Sequence, residues 1–364
     1  MRDQNISMRQ MMVMLFIALV ALGAETLPGI ARAGGAAWLA PLLAAVPALL
    51  LLLLAFRRPV KEQRLDLGQG LEKTLGKWPG RALALLFLLW GLFLLVVNAA
   101  RCARRLTMAE GTPVFFSAVV LVLAVWMAAG GLPAFVRTCE IFYLAMAAGL
   151  VGIVILGGLR VQPEYVFLIS REELSHVPGV ILSVLGIVSI GLYGLFLAGS
   201  ITVRPGDRAR VVRWTLIWFL ILALILFLII GTFGAPLVEV TQRPFFQMVA
   251  GLGLTGAFQR LEALVSALWM LGDVALLGLL LFGVKRLTAA VSGRGEQRWS
   301  VLLAGALAFA GGEFLAGKKG LLELSQQSLM PLGSLIMGGV LVLVFFWVQR
   351  KERGTESTAR NSGK

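Results

Sequence analysis

Three carboxylates stand inside stretches of sequence that are otherwise apolar. Glu25 interrupts the run "ALVALGAETLPGIARAGG", Asp273 lies in "LWMLGDVALLGLL", and Glu313 lies in "FAGGEFLAGKK". An ionisable side chain at lipid depth is costly, so each is a candidate for binding a solute or moving a proton. Further carboxylates stand at the edges of apolar runs: Glu110, Glu140 and Glu262.

Glu25 is the most informative of these carboxylates, because Gly23 and Pro28 flank it. If residues 22–27 unwind within the membrane, their free backbone groups would face a cavity. Freed N–H groups would then hold a solute carboxylate, while carbonyl groups and Glu25 would hold an ammonium group. That combination suits an amino acid. The alternative places Glu25 at the membrane edge, solvated or paired with Arg32.

Asp273 stands near the middle of a long apolar run, and no basic residue lies near it in the sequence. It makes either a structural hydrogen bond to a neighbouring helix or a contact with a solute or proton. Burial could raise the pKa of its carboxyl enough for a proton relay. Glu313 is predicted to lie at a helix end, attracted to Lys318 or Lys319.

Other polar positions have simpler interpretations. Asn98 shares a helical stripe with Trp90, Leu94 and Arg101, so it either bonds to another helix or lines a cavity. Spacing predicts one surface salt bridge, between Arg137 and Glu140 at i, i+3.

Several kinds of chemistry lack the residues that they need. The chain has one histidine and two cysteines without metal-ligand spacing, so neither a His-based triad nor a metal site is expected. No GxxxxGK[ST] loop occurs, which argues against an ATP-driven pump. We therefore expect no enzyme, no cofactor and no metal.

Long runs without charge determine the class of protein. Of the 364 residues 59% are hydrophobic and only 14% charged. Several charge-free runs, such as residues 36–56, are long enough to cross a hydrocarbon core of about 30 Å as a helix. The sequence predicts an all-α polytopic membrane protein with ten spans. These lie near 8–31, 36–56, 81–100, 112–131, 137–158, 179–202, 212–232, 258–284, 299–316 and 329–348.

The net charge of +14 is explained by membrane topology rather than by nucleic acid. With ten spans both termini share one side, and the segments on that side hold 23 of the 33 Lys and Arg residues. The positive-inside rule makes this side the cytoplasm. Arg101, Arg104 and Arg105 are exceptions that fall on the outer side.

The spans divide into two candidate halves, 8–158 and 179–348, within a single transmembrane domain 1–350. An interrupted first helix in each half is typical of inverted-repeat transporters. Span 6 contains Ser189, Gly191 and Gly194, which indicate either a break near 189–194 or close packing through small residues. The tail 351–364 is polar and predicted to be disordered.

The start of the chain has a second interpretation. "MMVMLFIALVAL" resembles the hydrophobic core of a signal peptide, and "ARA" before Gly34 resembles its cleavage box. Against this, the polar interruption comes before the box, and removal would leave nine spans with the termini on opposite sides. We therefore expect residues 8–31 to be a span.

Several stretches in order resemble the permease-like B subunit of nutrient germinant receptors in endospore formers. They are "GAETLP", "GLEKTLGKWPGRALALL", "EGTPVFFSAVVLVLAVWMAAGGLPAFVRTCEIF" and "RPFFQMVAGLGLTGAFQRLEALVSALWML". That family belongs to the amino acid–polyamine–organocation transporter superfamily. The resemblance implies a leucine-transporter-like fold of ten helices, a 5+5 inverted repeat with helices 1 and 6 broken.

The resemblance also implies a role and partners. It implies sensing of nutrients, often amino acids, at the inner membrane of the spore beside an A-type membrane subunit and a C-type lipoprotein subunit. The implied ligand pocket comprises Gly23, Ala24, Glu25, Thr26, Leu27, Trp90, Leu94, Asn98, Ser189, Gly191, Tyr193, Gly194, Trp269 and Asp273. Glu25 and Asp273 depart from the family, which looks mostly uncharged there.

Three functions remain open from the sequence. The first is a receptor subunit that binds a nutrient in a mid-membrane pocket and triggers germination. The second is an amino-acid permease coupled to H⁺ or Na⁺, with Asp273 or Glu25 as the coupling group. The third, a membrane scaffold without a ligand, fits poorly with two interrupted helices.

Overall fold

The chain folds almost entirely into apolar helices. A computed structural model describes residues 5–25, 27–55, 70–72, 75–106, 113–241, 243–252 and 261–362. Helices form because backbone groups at lipid depth need hydrogen-bond partners within their own segment.

Up to residue 158 the chain contains strand β1 (Ile6–Ser7) and helices α1 (Met8–Glu25), α2 (Ile30–Ala33), α3 (Leu39–Ala55), α4 (Lys77–Leu106), α5 (Pro113–Gly130) and α6 (Leu132–Gly158). After residue 158 it contains α7 (Glu164–Phe167), α8 (Arg171–Gly191), strand β2 (Ile201–Thr202), α9 (Asp207–Val240), α10 (Pro244–Gly251), α11 (Leu261–Ser292), α12 (Arg298–Gly317), α13 (Lys319–Leu324) and α14 (Met330–Ser362).

Eight or nine of the ten predicted spans are found as long apolar helices or helix pairs in the part of the chain that the structure describes. Within the described ranges, eight helices are long and apolar enough to cross a membrane. A ninth is added if Ile30–Ala36 and Leu39–Leu53, which meet at 98°, form one bent span. The apolar helix Val114–Gly130 is shorter. Together these elements are consistent with ten spans.

Span 1 is interrupted later than the sequence suggests. Leu22 to Glu25 are helical, whereas unwinding is predicted from residue 22. The helix ends before Pro28, because proline lacks an N–H group and disfavours a helical residue before it. Gly29 follows with φ at 82°, a conformation that favours glycine, and then the short α2 begins.

Span 6 changes its helix type within the predicted segment. Helix α8 ends at Gly191, and a 3₁₀ helix continues over Leu192–Ser200. Small residues also pack closely in this span. A Cβ atom on Gly194 would lie 2.1 Å from the terminal methyl of Met11, and one on Gly191 would lie 2.8 Å from Leu19. The structure therefore combines the two interpretations of the span 6 glycines: a change of helix near 189–194 and close packing through small residues.

The end of the bundle where α1 begins, called here the N-terminal face, is joined by contacts between segments distant in sequence. Strands β1 and β2 pair in parallel, with Ile6 opposite Ile201. Glu140 of α6 forms an ion pair with Arg9, with 2.5 Å between Glu140 Oε1 and Arg9 Nη2. It also accepts a hydrogen bond from Gln10. Glu140 therefore pairs across helices and not with Arg137, as the i, i+3 spacing suggests.

Helix α1 lies in the core of the bundle. It packs against α11, α9, α6 and α8, and α4 packs against α11 and α12. The end of the bundle at which α1 terminates, at Glu25, is called here the distal face. This end of α1 lies beside α4 and α11. At the other end of the chain, α14 remains helical to Ser362, through the tail for which the sequence predicts disorder.

Candidate ligand site

Four charged side chains meet where α1, α4 and α11 come together at the distal face. Arg101 Nη1 lies 2.7 Å from Glu25 Oε2, and its Nη2 lies 2.6 Å from Asp273 Oδ1. Arg105 Nη2 donates to Asp273 Oδ2, and its Nε lies 3.3 Å from Glu25 Oε1. We call these four side chains the charge quartet. Each arginine bridges both carboxylates, and the group is neutral overall.

Local sequence spacing places the two arginines on one face of α4, and helix packing brings the two carboxylates to them. Arg101 and Arg105 are four residues apart, so both project from one face of α4. Glu25 is the last residue of α1, and Asp273 lies within α11. None of the four side chains is more than 6% exposed. At such burial each charge needs an opposite charge, since desolvation of an unpaired ion is prohibitive.

The guanidinium groups of the quartet have donors to spare. Arg101 Nε, Arg105 Nε and Arg105 Nη1 are buried and find no hydrogen-bond acceptor within the described part of the chain. The guanidinium carbon of Arg105 lies 5.7 Å from the ring centre of Phe246 on α10. These three N–H groups are therefore available to further acceptor atoms.

A large cavity reaches the quartet from the distal face. Its volume is about 980 Å³, and its described lining includes Glu25 and Arg101 but neither Arg105 nor Asp273. The ionisable side chains around it are Arg32, Arg104, His176, Glu239, Arg243, Lys319 and Glu323. We call this cavity the distal vestibule. It gives a polar solute a route to one acidic and one basic member of the quartet.

Arg243 links the rim of the vestibule to α4. Its Nη2 donates to the backbone oxygen of Arg104 at 2.5 Å. Burial lowers the pKa of the Arg243 guanidinium, and the nearby Glu25 carboxylate acts in the opposite direction. The positive side chains at this rim raise the local concentration of anionic solutes.

The other residues predicted to bind a ligand do not gather around the quartet. Asn98 donates to the backbone oxygen of Leu94 in its own helix at 2.8 Å, and its own oxygen has no partner among the described residues. Trp90 packs against Gly333 and against the ring of Phe93. These three α4 residues thus point to helix packing more than to a solute.

The span 6 residues surround apolar space. Gly191 and Gly194 line a cavity of about 80 Å³ between α1, the 3₁₀ helix and α9, and no ionisable residue contributes to its described lining. Ser189 donates to Leu185 within α8. Tyr193 donates to the backbone oxygen of Phe87 at 2.7 Å. Within the described lining, no charged side chain is available here to pair with the ammonium or carboxylate group of an amino acid.

The remaining predicted residues lie nearer the quartet. Trp269, one turn before Asp273 on α11, stacks on Phe245 with ring centres 4.6 Å apart. Gly23 packs against the side chains of Leu222 and Trp218, and Ala24 and Leu27 line the vestibule. Thr26 lies outside the described residues, as do Glu110 and the side chain of Glu262. Of the 14 predicted residues, only Glu25 and Asp273 are therefore members of the charge quartet.

Sequence reasoning missed Arg101 and Arg105 as site residues. A signal for them was present, because both break the positive-inside pattern and stand at the end of an apolar span. Asp273 lacks a basic neighbour in the sequence, and its partners come from another helix. Glu25 pairs with these arginines and not with Arg32.

Glu313 likewise has a partner from another helix. It accepts a hydrogen bond from the Ser117 hydroxyl of α5, where the sequence predicts attraction to Lys318 or Lys319. In the described ranges, no cluster of three or more His, Cys, Asp or Glu side chains is placed to hold a metal ion.

Comparison with known proteins places this architecture. A family model described as spore germination protein matches residues 5–310. The chain belongs to the spore germination protein family. Its fold is similar to that of MhsT, solved in complex with L-phenylalanine, with a TM-score of 0.68 and 18% identity over 95% of this chain and 90% of that one. No curated protein matches the chain.

These findings confirm the family and the leucine-transporter-like fold expected from the sequence. The chain is an integral, multi-pass membrane protein of the spore germination permease class. The family and the fold leave the ligand to be argued from the site.

Proposed function

We propose that this chain is the membrane subunit of a spore nutrient germinant receptor that binds an amino acid and triggers germination. One observation carries the proposal: the Glu25–Arg101 ion pair, 2.7 Å long, lines the distal vestibule. An acidic and a basic group side by side match the ammonium and carboxylate groups of a zwitterion. The family and the amino acid bound to MhsT support the same ligand class.

We place the subunit in the inner membrane of the spore with both termini in the cytoplasm. The excess of basic residues in the loops on the side of the termini supports this orientation. The distal vestibule then opens toward the side from which a nutrient arrives. An A-type membrane subunit and a C-type lipoprotein subunit complete the proposed receptor.

Binding would act by shifting a conformational equilibrium. A ligand favours one state only by its difference in affinity between states. The contacts at the N-terminal face hold that end closed while the vestibule is open. Closure of the vestibule around an amino acid is therefore the proposed trigger, transmitted to the partner subunits.

A permease coupled to H⁺ or Na⁺ is the second candidate. The observation in its favour is Asp273, a carboxylate that is 1% exposed within a membrane bundle. Such groups often carry coupling protons. Its two arginine partners weigh against this role, because each carboxylate oxygen already accepts a hydrogen bond from a guanidinium group.

Two measurements together test the proposal. Spores lacking this gene should lose germination in response to amino acids, and complementation with Glu25→Gln should shift the dose–response curve. Glu72→Gln alters the 3.5 Å ion pair with Arg81, away from the described vestibule lining, so it serves as the matched control and should restore the parental curve. An unchanged curve for Glu25→Gln would refute the proposed site.

The second measurement separates the receptor from the permease. Proteoliposomes that contain the purified chain alone are given labelled amino acids, with and without a proton or sodium gradient. We expect binding without gradient-driven accumulation. Gradient-driven accumulation by the parent protein would establish the permease instead.

A further inference from the structure

We propose that the guanidinium pair of Arg101 and Arg105 is a carboxylate-binding subsite, and that Glu25 is a built-in occupant which the carboxylate of the ligand replaces. This inference rests on the proposed function and specifies its ligand class. The ligand carries a free carboxylate, and that end points into the quartet.

Glu25 is the less firmly held of the two carboxylates. Asp273 accepts a hydrogen bond from each arginine, whereas Glu25 accepts one from Arg101 and only lies within 3.3 Å of Arg105 Nε. Glu25 also stands at the C-terminal end of α1, where the helix dipole disfavours a negative charge. It is thus the member that a competing anion displaces most readily.

The position of Glu25 also permits the exchange. It lines the distal vestibule, while Asp273 does not appear in the vestibule's described lining. Glu25 is followed by the turn at Pro28–Gly29. Its side chain can therefore move away from the arginines without disrupting the interior of a helix. Access and mobility therefore favour replacement of Glu25 and not of Asp273.

The guanidinium groups can accept a new carboxylate without losing Asp273. Three buried N–H groups, Arg101 Nε, Arg105 Nε and Arg105 Nη1, find no acceptor among the described residues. A buried donor without an acceptor costs free energy, which a bound carboxylate would recover. Planar guanidinium groups also match the two oxygens of a carboxylate.

Charge balance selects a zwitterion. Without Glu25, the two arginines and Asp273 carry a net charge of +1, which one carboxylate neutralises. The released Glu25 then carries a charge of −1, which the ammonium group of the same ligand neutralises. An amino acid that inserts between Glu25 and the arginines keeps the buried site neutral, whereas an amine or an amino-acid amide does not.

The exchange also supplies a signal. In this structure the contacts of Glu25 tie the distal end of α1 to α4, and through the arginines to α11. Once a ligand carboxylate takes over the arginines, the ionic link from α1 to α4 and α11 runs through the bridging ligand. The position of the distal end of α1 then depends on whether the ligand is bound.

Chemical rescue tests the subsite without any nutrient. The full-length protein is purified in detergent micelles as Glu25→Ala and as Asp273→Ala, and thermal unfolding is followed with and without sodium acetate. Acetate should restore at least half of the lost midpoint temperature of Glu25→Ala, because it fills the vacated anion position. Acetamide, of the same size and uncharged, should restore none of it.

The controls separate the possible outcomes. Asp273→Ala should respond less than Glu25→Ala, since Asp273 does not appear in the vestibule's described lining. Equal rescue by acetamide, equal rescue of both variants, or no effect of acetate would each overturn the proposal. If Glu25→Ala does not fold, Glu25→Ser, which also vacates the position, is measured in the same way, and the same outcomes decide.

Failure here is distinguishable from failure of the proposed function. Acetate rescue reports on the anion subsite even if no amino acid triggers germination. Conversely, germination that depends on Glu25 without acetate rescue would retain the receptor and remove the exchange.

Discussion

Replacing Asp273 with asparagine should destabilise this protein more than any change to a surface ion pair. The carboxylate is 1% exposed and accepts hydrogen bonds from Arg101 and Arg105. Asparagine keeps the shape and one acceptor oxygen but removes the charge. One guanidinium then loses its acceptor, and the quartet carries a net charge of +1.

The expected loss follows from that burial. Removing one partner of a buried ion pair typically costs about 3–5 kcal/mol, because an uncompensated charge stays behind. Glu140→Gln breaks an ion pair whose arginine, Arg9, is 64% exposed, and such pairs contribute about 0–1 kcal/mol. The two variants should therefore differ by several kcal/mol in free energy of unfolding.

The assay is reversible unfolding of the purified protein in mixed micelles, with helix content and tryptophan fluorescence as probes. A double variant, Asp273→Asn with Arg105→Gln, restores neutrality and should be less destabilised than the sum of the single variants. Equal stability of Asp273→Asn and Glu140→Gln would refute the view that the quartet is a set of paired, desolvated charges. Strict additivity in the double variant would refute direct coupling.

Two further substitutions test the packing of the bundle. Gly186→Ala should abolish a monodisperse folded protein in gel filtration, because its Cβ would lie 2.2 Å from the backbone oxygen of Pro331, whereas Gly179→Ala on the same helix meets nothing within 4 Å and should behave as the parent does. A folded Gly186→Ala would show that α8 and α14 can separate there. Tyr193→Phe should lower the free energy of unfolding by about 0.5–1.5 kcal/mol through loss of its hydrogen bond to Phe87, and an unchanged denaturation midpoint would contradict that bond.

The three outer arginines show how a departure from a sequence rule can mark a site. From the positive-inside rule the sequence predicts cytoplasmic termini, and Arg101, Arg104 and Arg105 fall on the predicted outer side. In the structure two of them neutralise carboxylates from α1 and α11. The position of Arg101 and Arg105 is explained by charge pairing within the bundle and not by topology.

The sequence by itself determined the class and much of the architecture. Charge-free runs long enough to cross a bilayer specify helices, because each helix satisfies its backbone hydrogen bonds locally. Pro28 and Gly29 specify the end of span 1 to within a few residues. The ordered motifs specify the family. All of these signals are local, so a single sequence carries them.

Only the tertiary structure decided which charges meet. Glu25 and Arg101 are 76 residues apart, and Arg105 and Asp273 are 168 apart. No periodicity relates such distant positions, since their contact depends on how whole helices pack. Desolvation in the packed bundle then makes these pairings necessary, because a buried charge without a partner would unfold the site.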